Sequence, residues 1–173
     1  MLIRLRHRYS AHSTPILDTN LLVQHFRSAR KRLFLLDYDG TLTPIVKDPA
    51  AAVPSQRLLD AMHALTNDTR NIVYIISGRD EAFLSKHFSQ FPALGLSAEH
   101  GSYFKEHGIG STWQNLSAEL DMSWKGDVLN VFRYFTDRTL GSNIEEKKSS
   151  IVWHYRNADP DFGSFQAKEL SLI

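Results

Sequence analysis

Residues 33–43 read LFLLDYDGTLT, and this stretch is the main basis for predicting the fold and the function of the chain. Its first four residues are apolar, a run typical of a strand that is buried on both faces of a parallel sheet. Two aspartates, Asp37 and Asp39, follow one residue apart, although ionised carboxylates repel each other and are costly to bury. A Gly-Thr pair then indicates a turn. The stretch is therefore either an ordinary polar strand end or a reaction centre.

Predicted strands and helices alternate around this stretch. Apolar residues at three- and four-residue spacing predict the helices, and short apolar runs predict further buried strands. The alternation favours βαβ units in an open parallel sheet, an α/β fold whose reactive groups gather beyond the carboxyl ends of the strands. The predicted helices cover 18–31, 55–66 and 80–91, and the further strands cover 71–76 and 94–98.

The pattern changes near residue 101. Short strands and turns come first, and a helix is predicted over 124–138. Two alternating segments, 143–147 and 149–156, then indicate a hairpin. We therefore expect a basic lead-in over 1–17, an α/β core over 18–100 and a small α+β module over 101–173.

Composition limits the possible functions. The chain has 173 residues, 42% of them apolar and 23% charged, with a net charge of +1, as in a soluble globular protein. That charge predicts no general attraction to nucleic acid or to a membrane surface, and no apolar run is long enough to span a bilayer. The chain has no cysteine, which excludes disulfides and thiolate metal sites and fits a reducing compartment.

We expect a cytoplasmic location. Residues 1–17 hold three Arg, two His and no acidic residue, so a mitochondrial presequence is the alternative. A short basic lead-in without any address remains the simpler interpretation of this segment.

The two aspartates fit phosphoryl chemistry. A Mg²⁺ ion takes oxygen ligands and would offset their repulsion, so Asp37 and Asp39 are its candidate ligands. Asp37 could attack phosphorus and form an aspartyl phosphate, while Asp39 could protonate the leaving alcohol and then activate water. Thr41 offers a hydroxyl and an amide to phosphate oxygens. The structural alternative is a polar turn after a strand, which a lone Asp-x-Asp pair would favour.

In the stretch that holds Asp37 and Asp39, the chain resembles the haloacid dehalogenase superfamily, whose members are mostly magnesium-dependent phosphatases. The segment FLLDYDGTLTPIV is similar to its first motif, which implies that Asp37 is the nucleophile and Asp39 the general acid and base. Ser77, in IISGRD, resembles the second motif, which binds the phosphoryl group. The resemblance makes Gly78 and Arg79 neighbours of the phosphate. Without it, this segment is only a capped helix entry.

The resemblance extends to one family. DYDGTLTPIV, ISGRD, LGLSAEHG and IEEKKSSIVWHYRNADPDFG together resemble trehalose-6-phosphate phosphatases, nearest to the carboxyl-terminal domain of the large fungal trehalose-phosphate proteins. This implies trehalose 6-phosphate as substrate and subunits of a trehalose-phosphate synthase complex as partners. The second module becomes a cap that binds the sugar. The implied sugar-binding and pocket-wall residues are Glu145, Lys147, Arg156, Glu99 and His100.

The same resemblance predicts that elements are missing. In the superfamily, a lysine and an acidic pair follow the cap, and residues 157–173 contain no such pair. We therefore expect both core and cap to be incomplete, the magnesium site to be weak and the isolated chain to be a poorly folded or nearly inactive fragment. Three alternatives stay open: a phosphatase for another sugar phosphate, a non-catalytic subunit of a trehalose-synthesising complex, and the product of an incomplete gene.

Overall fold

The computed structural model describes residues 16–46 and 48–173. Most of the predicted lead-in, residues 1–15, lies outside the described residues. The elements in chain order are α1 (Thr19–Ser28), β1 (Arg32–Asp37), α2 (Gln56–Asn67), β2 (Asn71–Ile76), α3 (Glu81–Phe88), β3 (Gly95–Ala98), β4 (Tyr103–Lys105), β5 (Trp113–Asn115), α4 (Lys125–Thr136), β6 (Asn143–Glu146), β7 (Ile151–His154) and α5 (Pro160–Leu170).

Polar side chains set the start of four helices. Asp18, Ser55, Asp80 and Asp159 each accept a hydrogen bond from a main-chain N–H group in the first turn of the following helix. Such caps satisfy donors that have no partner inside the helix. Each predicted helix is present; α1, α3 and α4 end two or three residues earlier than predicted, and α2 ends one residue later.

The larger sheet has five strands in the order β1-β2-β3-β4-β5. The first three are parallel, with Asp37 opposite Ile76, so β1 and β2 end at the same edge of the sheet. Strands β4 and β5 continue the sheet in antiparallel fashion as far as Asn115. The α/β class is confirmed, but the predicted domain boundary after residue 100 divides this sheet and is too early.

The core lies beneath β2 and β3. Its buried residues are Tyr38, Met62, Val73, Ile75, Leu84, Phe88, Phe91, Leu94, Leu96, Ala98 and Tyr103. The prediction that the first strand is buried on both faces is wrong, because Leu33 is 61% exposed and Leu35 is 59% exposed. Strand β1 lies at the edge of the sheet, and only its alternate residues, such as Phe34, pack against the core.

Helix α1 contacts the sheet through few side chains. The ring of Phe26 meets that of Phe34 edge-on at 6.2 Å, and the guanidinium of Arg32 lies 4.2 Å from the same Phe26 ring. The apolar residues of this helix are about half exposed, as at Leu21 and Leu22. None of the helices within the described residues combines the length and the apolar character needed to cross a membrane.

Strands β6 and β7 form a separate antiparallel hairpin, called the cap hairpin below, in which Glu145 lies opposite Val152. Its inner face packs on α4: the indole N–H of Trp153 donates to Thr136 at 3.0 Å, and the Trp153 ring meets Phe135 edge-on at 6.3 Å. The predicted hairpin and its two faces are confirmed. The opposite face, with His154, is directed to the edge of the large sheet where β1 and β2 end.

Candidate active site

The turn after β1 fixes the two aspartates. The carbonyl oxygen of Tyr38 accepts hydrogen bonds from the N–H groups of Leu42 and Thr43 at 3.0 and 3.1 Å. Gly40 has φ of +89°, a left-handed conformation that glycine adopts without strain. The main chain thereby bends back directly after the strand, and both aspartate side chains reach the cavity described below.

Tyr38, between the aspartates, anchors the turn from below. Its side chain is fully buried, and its hydroxyl donates to the carbonyl oxygen of Ala52 at 2.7 Å. Burial raises the pKa of Tyr38 to about 12, so the hydroxyl keeps its proton and remains a donor. The Tyr38 side chain thus points away from the cavity and is not among its lining residues.

The two carboxylates have different partners. The hydroxyl of Thr41 donates to Asp37 Oδ2 at 3.2 Å. Asp39 instead receives two hydrogen bonds from the guanidinium of Arg79, at 2.9 and 2.7 Å. The hydrogen bonds that Arg79 donates to Asp39 are the main reason why the pKa of Arg79 is raised. The Asp37 carboxylate thus accepts fewer hydrogen bonds than the Asp39 carboxylate, which is paired with the guanidinium of Arg79 on the neighbouring loop.

The loop after β2 supplies the second side of the site. Ser77 is 3% exposed, and its hydroxyl accepts a hydrogen bond from the N–H of Arg79 at 3.1 Å. A Cβ on Gly78 would lie 2.6 Å from the ring of His100, so glycine allows the imidazole to lie against this loop. The predicted neighbours Gly78 and Arg79 line the cavity, whereas the Ser77 hydroxyl is turned into the loop.

The side chains of Glu99 and His100, the two residues after β3, point in different directions. Glu99 and His100 have φ of +44° and +55°, which residues other than glycine rarely adopt. His100 lines the cavity as predicted. Glu99 was expected to be a pocket-wall residue, but it is not among the lining residues; its carboxylate is buried and bonds to Ser149 of the cap hairpin.

The cap hairpin brings further charged groups to the site. The ammonium of Lys147 donates to the carbonyl oxygen of Gly78 at 2.6 Å and lies 3.5 Å from Glu145. His154 Nε2 lies 2.6 Å from Glu145 Oε2. Burial acts to raise the pKa of Glu145, but the hydrogen bond to His154 and the charge of Lys147 outweigh it, so the pKa is lowered. Arg156 reaches the core and donates to Val46 O at 3.2 Å.

These groups share one cavity of about 360 Å³, a volume within the usual range of small-molecule sites. We call its core residues the floor: Asp37, Asp39, Gly78, Arg79 and His100. We call its hairpin residues the wall: Glu145, Lys147, His154 and Arg156. The cavity thus collects eight of the eleven predicted site residues, and the three outside its lining are Thr41, Ser77 and Glu99.

His154 is a wall residue that the sequence analysis did not select. The sequence did contain an indication of its position, because the alternation of side chains along the hairpin puts His154 on the same face as Arg156. The loop after the aspartates also contributes lining residues that no motif indicated, namely Ile45, Val46 and Pro49. Apolar loop residues carry no chemical signature, so only their placement in the fold reveals them.

The floor offers oxygen donors suited to a divalent cation. Asp37 supplies a carboxylate with one oxygen free and Asp39 a main-chain carbonyl, and Mg²⁺ commonly binds one or two carboxylates and keeps water and phosphate as its other ligands. Within the described residues no group of three or more His, Cys, Asp and Glu side chains is arranged so that it could hold a metal ion. The donor set therefore fits a magnesium ion that is shared with a phosphate substrate rather than a closed protein cage.

Parallel strands that end in Asp37-x-Asp39 and in Ser77, with a cap hairpin over that edge, define an α/β fold of the haloacid dehalogenase type. The family model described as Trehalose-phosphatase matches residues 35–172. The chain belongs to this trehalose-phosphatase family.

Fungal relatives agree with this assignment. A trehalose-phosphatase of Schizosaccharomyces pombe is 54% identical over 92% of this chain, and one of Saccharomyces cerevisiae is 51% identical over 91%. The aligned parts are 19% and 18% of those proteins, so the chain spans about a fifth of their length.

Solved structures give the same result. The carboxyl-terminal domain of Candida albicans trehalose-6-phosphate phosphatase is 52% identical with a TM-score of 0.85, over 91% of this chain and 54% of that one. The Aspergillus fumigatus trehalose-6-phosphate phosphatase is 52% identical with a TM-score of 0.62, over 92% of this chain and 58% of that one.

Proposed function

We propose that this site hydrolyses trehalose 6-phosphate to trehalose and phosphate through an aspartyl phosphate on Asp37. The observation that carries the proposal is a single cavity in which a carboxylate pair faces a sugar-sized wall of acidic and basic side chains. The names of the fungal relatives support the substrate. We extend that substrate to this chain as a proposal, since the chain spans only part of each relative.

Asp37 has the role of nucleophile. Its carboxylate oxygen forms a bond to phosphorus while the bond from phosphorus to the sugar oxygen breaks. Its only hydrogen-bond donor among the described side chains is the hydroxyl of Thr41 at 3.2 Å, a weak contact that leaves the second oxygen available for attack. Thr41 thereby orients the nucleophile rather than lining the cavity.

Asp39 has the role of general acid and base. It gives its proton to the departing sugar oxygen, then takes a proton from the water that attacks the aspartyl phosphate, and the phosphate leaves with Asp37 restored. The bidentate pair with Arg79 must open for this, because a carboxylate held by a guanidinium is ionised. Phosphate oxygens offer Arg79 replacement acceptors of the geometry that arginine prefers.

Asp37, through its carboxylate, and Asp39, through its main-chain carbonyl, would hold a magnesium ion at the floor, which leaves the Asp39 carboxylate available for proton transfer. Such an ion supplies positive charge that stabilises the phosphoryl oxygens during transfer. The chain's own contribution is to keep both carboxylates at the end of β1 by the turn around Tyr38. Dependence of turnover on magnesium is part of the proposal.

The wall binds the sugar. A disaccharide presents many hydroxyl groups; Glu145 accepts hydrogen bonds from them, and Lys147 and Arg156 donate. His154 holds the Glu145 carboxylate from one side and Lys147 from the other, which fixes its direction before any substrate enters. A phosphate at the floor and hydroxyls along the wall give a sugar phosphate contacts at both ends.

The direct test is phosphate release by the 173-residue chain. Release from trehalose 6-phosphate that needs magnesium, stops with a chelator and exceeds release from glucose 6-phosphate and sucrose 6-phosphate would support the proposal. It would also contradict the sequence-based expectation that the isolated chain is a nearly inactive fragment. Equal rates on all three esters would favour a phosphatase for another sugar phosphate. Absence of magnesium-dependent release from any of them would contradict the proposal for this chain.

The exposed face of β1 favours a second candidate, a non-catalytic subunit bound to a trehalose-phosphate synthase. Leu33 and Leu35 present apolar surface on β1, the strand that ends at Asp37, and some relatives are named as synthases. The test is size-exclusion chromatography of the chain with a purified synthase. Co-elution that Leu33→Glu abolishes would support this function, and separate elution would contradict it.

A further inference from the structure

Glu99 lies at the carboxyl end of β3 in an unusual main-chain conformation. Both Glu99 and His100 are in the left-handed region, where side chains are rarely accommodated unless the surroundings hold them. The loop after β2 holds both residues: the N–H of Glu99 donates to Arg79 O at 2.9 Å, and that of His100 donates to Ser77 O at 3.1 Å. The direction of the Glu99 side chain is therefore set by the loop that forms part of the site.

The Glu99 carboxylate leaves the core and enters the turn of the cap hairpin, residues 147–150, which we call the hairpin turn. Its Oε2 accepts from the N–H and hydroxyl of Ser149 at 3.0 and 2.8 Å, and its Oε1 accepts from the N–H of Lys148 at 3.4 Å. Glu99 is only 4% exposed. A buried carboxylate needs such donors, and here they come from a segment about 50 positions away along the chain.

Two further contacts join the hairpin turn to the core. The ammonium of Lys147 donates to Gly78 O at 2.6 Å, and that of Lys148 pairs with Glu81 at 2.8 Å. Both partners lie on the loop and helix that follow β2. Of the two carboxylates that meet the hairpin turn, those of Glu99 and Glu81, Glu99 is the buried one, so its contacts are the less weakened by solvent.

We propose that Glu99 is a positioning residue that latches the hairpin turn to the floor and so holds the wall over Asp37. The part of the proposal that concerns the substrate rests on the proposed function. When the latch is open, the wall is displaced and sugar binding is lost. Apparent affinity then falls in proportion to the fraction of molecules that remain latched, while saturating substrate restores the latched state.

Steady-state kinetics of Glu99→Ala test the latch. We expect KM for trehalose 6-phosphate to rise about tenfold and kcat to stay within about twofold, as a shift of population predicts. Hydrolysis of p-nitrophenyl phosphate, which has no sugar for the wall, should change less than about twofold, because Asp37 and Asp39 are untouched. Glu99→Gln keeps one acceptor oxygen and should lie between the wild type and Glu99→Ala.

Two controls separate the latch from a general loss of structure. Glu119→Gln makes the same chemical change as Glu99→Gln at an exposed position and should leave both substrates unaffected. Ser149→Ala removes one donor to Glu99, and the double variant with Glu99→Ala should be no worse than Glu99→Ala alone. Additive losses in this cycle, or equal losses on both substrates, would overturn the proposal.

A distance measurement tests the latch without any turnover. The chain has no cysteine, so spin labels at Arg57→Cys on α2 and Leu140→Cys before β6, both exposed, report the placement of the cap hairpin. We expect a narrow distance distribution that Glu99→Ala broadens and Glu119→Gln does not. An unchanged distribution in Glu99→Ala overturns the latch, whereas absent turnover of trehalose 6-phosphate by the wild type contradicts the proposed function instead.

Discussion

The floor and the wall of the cavity are held in place by different kinds of contact. The main chain at Asp37 and Asp39 is shaped by a turn whose own hydrogen bonds join residues no more than five positions apart, and the contacts of Tyr38 with Ala52 and of Asp39 with Arg79 are added to it. The wall is positioned by contacts that span long separations, such as Lys147 with Gly78 and Arg156 with Val46. The comparison teaches that the reacting groups depend on local geometry, whereas the sugar-binding groups depend on how two distant segments dock.

The largest effect should come from the floor. We expect Asp37→Asn to lower kcat on trehalose 6-phosphate roughly a thousandfold or more, since the nucleophile is removed and the wall is not. Binding of trehalose 6-phosphate, measured by calorimetry, should remain. Asp137→Asn, the same change at an exposed position after α4, is the matched control. Retained turnover in Asp37→Asn would mean that another group attacks phosphorus.

A change in the wall should act on one substrate only. Lys147→Met removes an ammonium that bonds to Gly78 O and lies beside Glu145, and a hydrogen bond to a charged group contributes about 1.5–3 kcal/mol. We therefore expect kcat/KM for trehalose 6-phosphate to fall about 10- to 100-fold and that for p-nitrophenyl phosphate to stay constant.

Lys168→Met, on the exposed surface of α5, is the control for this change. A similar loss on both phosphate esters would show that Lys147 serves the floor as well. The proposed division of labour between floor and wall would then fail.

Sequence reasoning worked best where structure is local. Strand β2 has the predicted bounds, and the Asp-x-Asp turn and the loop after β2 meet at one edge, because the ends of adjacent parallel strands must. The hairpin and its two faces followed from alternation alone. Wall residues could be named only by family resemblance, since charged pairs on a hairpin are ordinary features of a solvated surface.

The failures concern long-range packing. Apolar residues in β1 predicted burial on both faces, but burial depends on what covers a strand, and Leu33 and Leu35 are exposed. The strands after residue 101 look like a new module by composition, yet they pair with β3. Glu99 is a charged residue at the end of a strand, where a pocket residue is expected, but its main chain has a left-handed conformation that turns the side chain toward Ser149.

The free energy of unfolding should also respond differently to a substitution in the large sheet and to one in the helix that packs on the cap hairpin. A Cβ on Gly95 would lie 2.2 Å from the ring of Tyr74, beneath the floor, so Gly95→Ala overpacks the sheet and should cost about 1–3 kcal/mol. A Cβ on Gly126, in α4 under the cap hairpin, meets open space, and Gly126→Ala should stabilise by up to about 1 kcal/mol. Urea unfolding measures both, and equal effects would contradict the comparison.

The smallest effect should appear only in acid, at the far end of the strands from the floor. Asp68 accepts from the side chain and N–H of Arg70 and pairs with Arg32 at 2.6 Å. Hydrogen bonds from Arg70, then from Arg32, hold the pKa of Asp68 below its ordinary value. A carboxyl whose pKa is lower in the folded than in the unfolded chain stabilises the fold at pH above its unfolded-state pKa. This contribution is lost as the pH falls toward its folded-state pKa.

Asp68→Asn should therefore lower Tm by a constant amount at neutral pH, and the difference from wild type should shrink below about pH 4, the ordinary pKa of aspartate. Thermal unfolding between pH 2 and pH 7 measures it, with Asp161→Asn on α5 as the exposed control. Arg32 begins β1 and Arg70 precedes β2, so this pair ties the two strands that deliver the floor residues at their other end. A difference that stays constant down to pH 2 would mean that the contribution of Asp68 does not depend on its charge, and the main-chain pairing of β1 with β2 would then hold these strand ends without it.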